Sequence, residues 1–553
     1  MKKTTFHGGI FLLILLTYGL PLYSQDIEWE KSIGGKHADY LFDAIPTADY
    51  GFILAGSSLS GKTGKKLQAN QGDLDYWIWK MDEKGEMEWQ KSFGGSGLDL
   101  LKCIKHTNDG GFILAGNSKS GKSGDKSSEL LGGDDIWILK LDAKGNVLWQ
   151  LALGGEGQDL LGDLIVTQDG GFLIGINSSS SSTLYNQSQT DLKRTDKSKL
   201  LLKSTNSFGN LDFWIVKIDR NGDLEWERSY GGQYSDKIQS ILESKDGSFL
   251  IGGTSNSTEY TTSTETNLGY AKTEKNYGML DYCVLKLDKK GELLWEKVFG
   301  GDKDDFLMTV VETSKGNYIL GGNSWSQVTG NKDCTNKSGS DFWIIEINVH
   351  GEIIWQKSYD IDKNDKLTSM FLGSDESILI GGMAVSETQG TPKRDKEGVG
   401  DFVLIKTSLS GDEVWRKYIG SNDQNALSKV FEARDGGYIL SGTANGKSSR
   451  DRKSSVGRED FWVVKLKDKS KKEVVKETIE AFPNPVETFT NVIVNYEFKS
   501  GEIFLYDLSG RLHQNFAIEN RTIPLNMTGL PRGIYVVKVK TDVQENGLKI
   551  MKL

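Results

Sequence analysis

The chain has 553 residues, more than a single domain of about 100–200 residues contains, so several domains or a repeat array are expected. Its formal net charge of −9 argues against nucleic acid as a partner, because no basic excess exists to neutralise phosphates. Five histidines and three cysteines show no zinc-ligand spacing, and 65 glycines beside only seven prolines favour many tight turns between strands.

The first segment has the pattern of a secretory signal peptide. Lys2 and Lys3 precede an apolar run over residues 10–16, and Ser24 is a small residue suited to cleavage. The apolar run is shorter than the roughly 20 residues that a membrane-spanning helix needs. We therefore predict a signal peptide at 1–24, passage through the periplasm, and no transmembrane segment in the mature chain.

One short motif recurs along most of the chain. Asp82–Trp89 reads DEKGEMEW and Asp142–Trp149 reads DAKGNVLW, and other copies of D-x-x-G-x-x-x-W follow, two with Asn or Ser in place of Asp. The tryptophan occurs at Trp29, Trp89, Trp149, Trp226, Trp295, Trp355 and Trp415. Successive spacings are 60, 60, 77, 69, 60 and 60 residues. A period of this kind is typical of repeat architectures.

Each repeat contains four short segments with the character of β-strands. A Gly-Gly pair is followed by an aspartate, then by a hairpin signal such as Asp109-Gly110-Gly111, and then by a strand that opens with Asp-aromatic-Trp. Seven four-stranded units predict an all-β, seven-bladed β-propeller over residues 25–467. The last unit lacks one strand, and we expect the strand around Trp29 to complete it and close the ring.

The D-x-x-G-x-x-x-W element resembles the tryptophan motif of pyrroloquinoline-quinone-type propellers, and Leu141–Trp149 is the most similar copy. The resemblance implies a propeller fold in which the tryptophan contacts the neighbouring blade. Those enzymes usually have eight blades and often paired cysteines, whereas this chain has seven repeats and no adjacent cysteines. We therefore predict no cofactor.

The predicted blades place their connections on two different faces. The Asp-Gly hairpins and the D-x-x-G turns share one face, which we call the short-turn face. The opposite, long-loop face receives the Gly-Gly connections and seven Ser-, Thr-, Gly-, Asn- and Lys-rich loops. Variable loops on a rigid ring are a common place for binding, although they can also be tolerated insertions without a ligand.

An aspartate four residues after the second glycine is the sharpest chemical feature of the repeat. In this position it could line the mouth of the central channel and hold a cation such as Ca²⁺, or supply carboxylates for glycoside chemistry. The stronger interpretation is structural, because a residue present in nearly every blade serves a role that the blades share, such as holding a turn. The six candidates are Asp39, Asp99, Asp159, Asp236, Asp305 and Asp365.

Twelve of the 14 tryptophans occupy two positions of the repeat and are expected to pack between blades. Trp325 falls outside this pattern, in a loop of the long-loop face. An aromatic ring at such a place can stack on a sugar. Trp325 is therefore the candidate ligand-binding residue.

The character of the chain changes after residue 467. Residues 468–477 are a charged linker, and residues 478–553 contain four of the seven prolines and no tryptophan. Alternating apolar residues and regular turns predict a small, immunoglobulin-like β-sandwich. An adhesion or carbohydrate-binding sandwich would show the same alternation.

This segment resembles the type A C-terminal sorting domain of the type IX secretion system. The matching residues include Pro483, Asn484, Pro485, Asp507, Gly510, Arg511, Gly533, Tyr535, Lys538 and Lys552. The resemblance implies folding in the periplasm, recognition by an outer-membrane translocon, and removal of the domain. The passenger would then be secreted or attached to the outer-membrane surface.

Three functions are compatible with this organisation. The first is a non-enzymatic secreted or cell-surface propeller that binds a polysaccharide or protein through its long-loop face. The second is a secreted hydrolase or lyase that acts on polysaccharide, and the third is a purely structural surface protein. A catalytic residue should break the repeat symmetry, and no singular Glu, His or Tyr cluster is found, so the non-enzymatic interpretation is favoured.

Overall fold

A computed structural model describes residues 25–181, 198–259, 269–337, 339–386, 399–469, 471 and 474–553. The predicted signal peptide lies outside these residues. The described part contains 37 β-strands. Seven of its sheets follow the repeat, and two belong to the C-terminal segment, which confirms the all-β prediction.

The first strand, β1 (Asp26–Ile33), belongs to the last blade. Blade 1 contains β2 (Asp39–Pro46), β3 (Phe52–Ser58), β4 (Asp75–Met81) and β5 (Met87–Phe93). Blade 2 contains β6 (Asp99–His106), β7 (Phe112–Ser118), β8 (Asp135–Leu141) and β9 (Val147–Gly154).

Two long loops add a fifth, parallel strand to the preceding blade. Strand β12 (Ser198–Leu202) pairs with β9, and β17 (Gly269–Ala271) pairs with the outer strand of blade 3. Blade 3 contains β10 (Asp159–Val166), β11 (Phe172–Ser178), β13 (Asp212–Ile218) and β14 (Leu224–Gly231). Blade 4 contains β15 (Asp236–Glu243), β16 (Phe249–Ser255), β18 (Asp281–Leu287) and β19 (Leu293–Phe299). These two loops belong to the repeats with the longer spacings.

The remaining blades complete the ring. Blade 5 contains β20 (Asp305–Glu312), β21 (Tyr318–Ser324), β22 (Asp341–Ile347) and β23 (Ile353–Tyr359). Blade 6 contains β24 (Lys366–Leu372), β25 (Ile378–Ser386), β26 (Val399–Thr407) and β27 (Glu413–Ile419). Blade 7 contains β28 (Asn425–Glu432), β29 (Tyr438–Asn445), β30 (Glu459–Lys467) and β1.

Strand β1 closes the ring as the sequence predicts. It pairs antiparallel with β30, from Asp26 opposite Lys467 to Ile33 opposite Phe461. The innermost strands β2, β6, β10, β15, β20, β24 and β28 contact their neighbours around the channel, including β28 with β2. The fold is therefore a closed seven-bladed propeller in which both ends of the repeat region share one blade.

Aromatic side chains join the blades in a regular way. The fully buried Trp137 lies 5.0 Å from Tyr76 of blade 1, between ring centroids, and Trp77 lies 4.9 Å from Phe461 of blade 7. The motif tryptophan Trp89 contacts Phe112 of the next blade at 6.4 Å. The repeat-locked tryptophans thus pack between blades, as the repeat symmetry predicts.

The C-terminal domain is a second, smaller unit with its own core. Its strands form a three-stranded sheet, β31-β32-β35, and a four-stranded sheet, β34-β33-β36-β37. They are β31 (Ile479–Phe482), β32 (Phe489–Val494), β33 (Gly501–Asp507), β34 (Leu512–Ile518), β35 (Thr522–Asn526), β36 (Gly533–Thr541) and β37 (Glu545–Lys552). Buried residues of both sheets, among them Val492, Leu505 and Val537, form one hydrophobic cluster.

Candidate functional site

The six candidate aspartates lie one per blade, at or next to the start of the innermost strand, and each carboxylate is buried, with 0–2% of the residue exposed. Each accepts a hydrogen bond from the backbone of the preceding turn, for example from Gly95 N to Asp99 Oδ2 at 2.7 Å and from Gly301 N to Asp305 Oδ2 at 2.8 Å. The structure therefore places them in turns, and it does not bring the six together.

A serine hydroxyl completes this arrangement in five of the six blades. Ser120 Oγ donates to Asp99 Oδ2 at 2.9 Å, and Ser60, Ser180, Ser257 and Ser326 make the same bond to their own aspartates. These carboxylates face turn amides and hydroxyls inside the blade. Their burial does not agree with a ring of negative charge at the channel mouth, the weaker of the two interpretations of these aspartates. Cation binding by the six residues stays a prediction.

Half-exposed side chains of the innermost strands form the channel wall instead. Lys102 Nζ lies 3.9 Å from the centroid of the Phe42 ring, which is a cation–π contact. Tyr40 and Phe306 are also half-buried, and Lys237 is exposed at the corresponding position of blade 4. The wall thus combines aromatic rings with lysines and differs from blade to blade.

Sequence reasoning missed a set of buried cations. Lys126 is 2% exposed and donates from Nζ to Ser118 Oγ at 3.0 Å and to the Ser120 carbonyl at 2.6 Å. Five lysines share this position, each nine residues before the aspartate that opens the third strand of its blade, and this spacing could have revealed them. They are Lys66, Lys126, Lys203, Lys272 and Lys332.

Burial shifts the titration of these groups in opposite directions. It raises the pKa of Asp75 and Asp135 to about 6 and of Asp281 to about 7, against the partial compensation of the nearby lysine. It lowers the pKa of Lys66 to about 8. The aspartates and lysines near the long-loop face are therefore destabilised in their charged forms.

A pH-dependent stability follows from Asp281. Burial, and then repulsion from Asp305, raises its folded-state pKa from 3.8 to about 7. Its favourable contribution to the free energy of unfolding is therefore present below pH 3.8 and is lost as pH rises through about 7. Asp281→Asn stays neutral, so we expect its melting temperature to exceed that of the parent near pH 8 and to match it near pH 4. Thermal unfolding monitored by tryptophan fluorescence at both pH values measures this difference.

Asp246, in the same blade, is a control for which we expect the opposite dependence of stability on pH. Burial alone would raise its pKa, but hydrogen bonds from Ser248 and the charge of Lys286 lower it below 3.8. Asp246→Asn should therefore be less stable than the parent near pH 8, with the loss fading towards acidic pH. The same pH profile for both variants would contradict the assignment.

Asp365 is the exception among the six aspartates. Its carboxylate lies within 4.8 Å of those of Asp341 and Asp360, and Asp360 occupies the place of the first glycine of the other repeats. Lys337 Nζ lies 3.2 Å from Asp360. The buried Asp341 Oδ1 accepts no hydrogen bond from the described residues, but the same oxygen is unpaired at Asp75, Asp135, Asp212 and Asp281. The unpaired oxygen is thus a feature of the repeat and does not distinguish this cluster as an ion site.

Trp325 follows β21 on the long-loop face and is half-buried. Its ring makes an edge contact with Phe306 of the channel wall, with centroids 5.7 Å apart. The corresponding residues of blades 1 to 4 are Leu59, Lys119, Ser179 and Asn256. A tryptophan at this position is therefore specific to blade 5, and ligand binding by Trp325 stays a prediction.

The candidate sorting residues converge at one end of the four-stranded sheet. Asp507 Oδ1 accepts hydrogen bonds from Ser509 N at 2.9 Å and Arg511 N at 3.1 Å, in a turn where Gly510 has φ +84°. Asp507 pairs with Tyr535 across the sheet, and Gly533 pairs with Lys552.

Two further contacts complete this end of the C-terminal domain. Asn484 accepts a hydrogen bond from Met551 N at 3.0 Å, which attaches the Pro483–Pro485 segment to the last strand. The Tyr535 hydroxyl donates to the Pro531 carbonyl at 2.9 Å, and Lys538 projects from the same strand into solvent. Segments far apart in sequence thus form one surface.

A family model described as "Secretion system C-terminal sorting domain" matches residues 480–552. This segment is a secretion-system sorting domain. The sorting domain directs the protein through the type IX secretion system to the outer-membrane surface or the extracellular space. Among the described residues, no helix has the length and apolar character needed to span a membrane.

Solved structures, among them a WD40 domain, resemble the chain only weakly. A protein of unknown function from Dyadobacter fermentans is 12% identical, with 80% of this chain and 99% of that chain covered and a TM-score of 0.37. The Pan2 WD40 domain from Neurospora crassa is 9% identical, with 68% and 91% covered and a TM-score of 0.32. Scores this low say nothing about ligand or activity. A comparison with curated proteins gives no match.

Proposed function

We propose that the protein is an exported propeller that binds carbohydrate on its long-loop face. The observation that carries the proposal is the position of the sorting domain. Its contacts go to the short-turn face, through Asp49, Tyr50 and Arg434. Export through this domain therefore leaves the long-loop face free to meet a ligand outside the cell.

An aromatic and apolar surface on blades 4 and 5 supports this proposal. Tyr277 is 50% exposed, Met279 73% and Val328 51%, and all three lie in long loops. Tyr277 packs beside Gly330 of the next blade, so the two loops adjoin. Tyr277 and Trp325 offer flat, partly exposed rings of the kind that stack on sugars, and Met279 and Val328 add apolar surface.

The rival proposal of a polysaccharide hydrolase or lyase has less support. Glycoside hydrolysis generally needs two accessible carboxylates facing one another across the scissile bond. The repeated aspartates are instead buried and accept hydrogen bonds from their own turns, as Asp99 does from Gly95 and Ser120. A binding surface therefore fits the arrangement better.

The proposal is tested with a glycan array and the full chain from residue 25. We expect at least one polysaccharide to bind, and Trp325→Ala to weaken its binding about tenfold through loss of ring stacking. Leu59→Ala, at the same repeat position in blade 1, is the matched control and should bind like the parent. Absence of any bound glycan, or equal losses in both variants, would refute the proposal.

A further inference from the structure

The short-turn face carries a specific contact with the sorting domain. The guanidinium of Arg434 lies 4.2 Å from the centroid of the Tyr50 ring and 4.3 Å from that of Phe482. Arg434 Nη2 lies 3.1 Å from Glu480 Oε2, and the Tyr50 hydroxyl donates to the same oxygen at 2.9 Å. Two propeller residues thus hold one carboxylate and one ring of the sorting domain.

Tyr50 departs from the repeat at a strained backbone position. Its φ is +67°, in the left-handed region that a side chain with Cβ rarely adopts. The equivalent residue of most other blades is a glycine with positive φ, at Gly110, Gly170, Gly247, Gly316 and Gly436. Such strain tends to persist where a residue has a role beyond the turn itself. Tyr50 is also only 5% exposed, and its ring lies against Arg434, at 4.2 Å, and Lys476 of the linker, at 4.4 Å.

Neighbouring turns extend the contact over three adjacent blades. The Phe489 ring lies against Gly110 of blade 2, so closely that a Cβ there would meet Phe489 Cζ at 2.0 Å. Thr522 Oγ1 donates to Asp49 Oδ2 of blade 1 at 3.1 Å. Because Arg434 belongs to blade 7, the sorting domain contacts blades 7, 1 and 2.

A cavity of about 1190 Å³ remains between the two domains. Propeller residues such as His106 and Phe371 line one side, and Pro483, Pro485 and Leu553 of the sorting domain line the other. These three residues are exposed to solvent. The contact therefore leaves two of the candidate sorting residues, Pro483 and Pro485, accessible together with the C-terminal Leu553.

We propose that the short-turn face of blades 7, 1 and 2 is a docking site for this chain's own sorting domain. Tyr50 and Arg434 recognise Glu480 and Phe482, and the contact fixes the orientation of the sorting domain relative to the ring. The docked domain stands over one mouth of the channel and keeps Pro483, Pro485 and Leu553 accessible. Docking thus holds the sorting domain in one defined orientation relative to the propeller.

Small-angle X-ray scattering of the chain from residue 25 tests the proposal. Tyr50→Gly installs the residue that the other turns use, so the blade should fold, but the ring and hydroxyl that hold Glu480 are lost. We expect Tyr50→Gly and Arg434→Ala to release the sorting domain and to raise the radius of gyration by about 10%. The parent should scatter as a compact, two-domain particle.

Glu376→Gly is the matched control. Glu376 also has a positive φ, of +61°, at the equivalent position of blade 6, and it is exposed. The Glu376→Gly variant should relieve the same backbone strain and keep the compact scattering of the parent. Four identical scattering curves, an extended parent, or release in Glu376→Gly to the same extent would each overturn the proposal.

Discussion

Deletion of residues 478–553 is expected to abolish appearance of the protein outside the cell. The segment contains the sorting domain at 480–552, which directs export through the type IX secretion system. Without it, the propeller should accumulate in the periplasm. Immunodetection in periplasmic, outer-membrane and medium fractions measures the change.

The deletion should leave the propeller folded, because the two domains have separate hydrophobic cores and β1 closes the ring independently of the tail. Circular dichroism of the retained protein checks this. A deleted protein that reaches the medium at the parent's level would contradict the assignment of the export signal.

A matched pair of point variants locates the signal within the domain. Asp507→Ala removes the acceptor that holds Ser509 and Arg511 in the sorting turn. Asp542→Ala removes a similar turn acceptor, for Lys499 N at 3.0 Å, outside the predicted sorting residues. Export should fall for Asp507→Ala and persist for Asp542→Ala.

The features that the sequence predicted best are those that recur with a local pattern. Each D-x-x-G turn needs positive φ at its glycine, as at Gly145 with φ +75°, and the tryptophan four residues later returns at a nearly fixed interval. Seven blades, the closing strand around Trp29 and the sorting fold could all be predicted from such patterns. The structure confirms this architecture.

Features that depend on contacts between distant segments could not be predicted. The bond from Tyr50 to Glu480 joins residues 430 positions apart. Tyr50 stands where most other turns have glycine, but nothing in the local sequence indicates its partner. Strand β12 likewise forms only because a long loop reaches the outer edge of the preceding blade. In both cases tertiary packing determines the structure, and local sequence propensity does not indicate it.

The aspartates show a third limit of prediction from the sequence. Their spacing predicts one carboxylate per blade near the channel, but it does not determine which way the carboxylate faces. Ser120 Oγ and the Gly95 amide both donate hydrogen bonds to Asp99 Oδ2 inside the blade, where Asp99 is 0% exposed. Burial of the carboxylates, rather than their spacing in the sequence, determines which chemistry is available at the channel mouth.

Ring closure should dominate the stability of the propeller, and Ile33→Asp is the variant that tests it. Ile33 is 1% exposed and packs with Leu41, Trp77 and Phe461, where blade 7 meets blade 1. An aspartate there would be a buried, unpaired carboxylate, so we expect the free energy of unfolding to fall by about 3 kcal/mol or more. Loss of β1 would also expose the edge of β30 to pairing with other chains.

Denaturant unfolding followed by tryptophan fluorescence isolates this effect, because all 14 tryptophans lie in the propeller and none in the sorting domain. Ile534→Asp is the matched control, since Ile534 is 39% exposed on a strand of the sorting domain and its substitution should leave the fluorescence transition unchanged. Ile33→Val should cost only about 1 kcal/mol, because it removes a single methyl group without introducing charge. If Ile33→Asp unfolded at the parent's denaturant concentration, strand β1 would be dispensable and the ring would be stable without its closing strand.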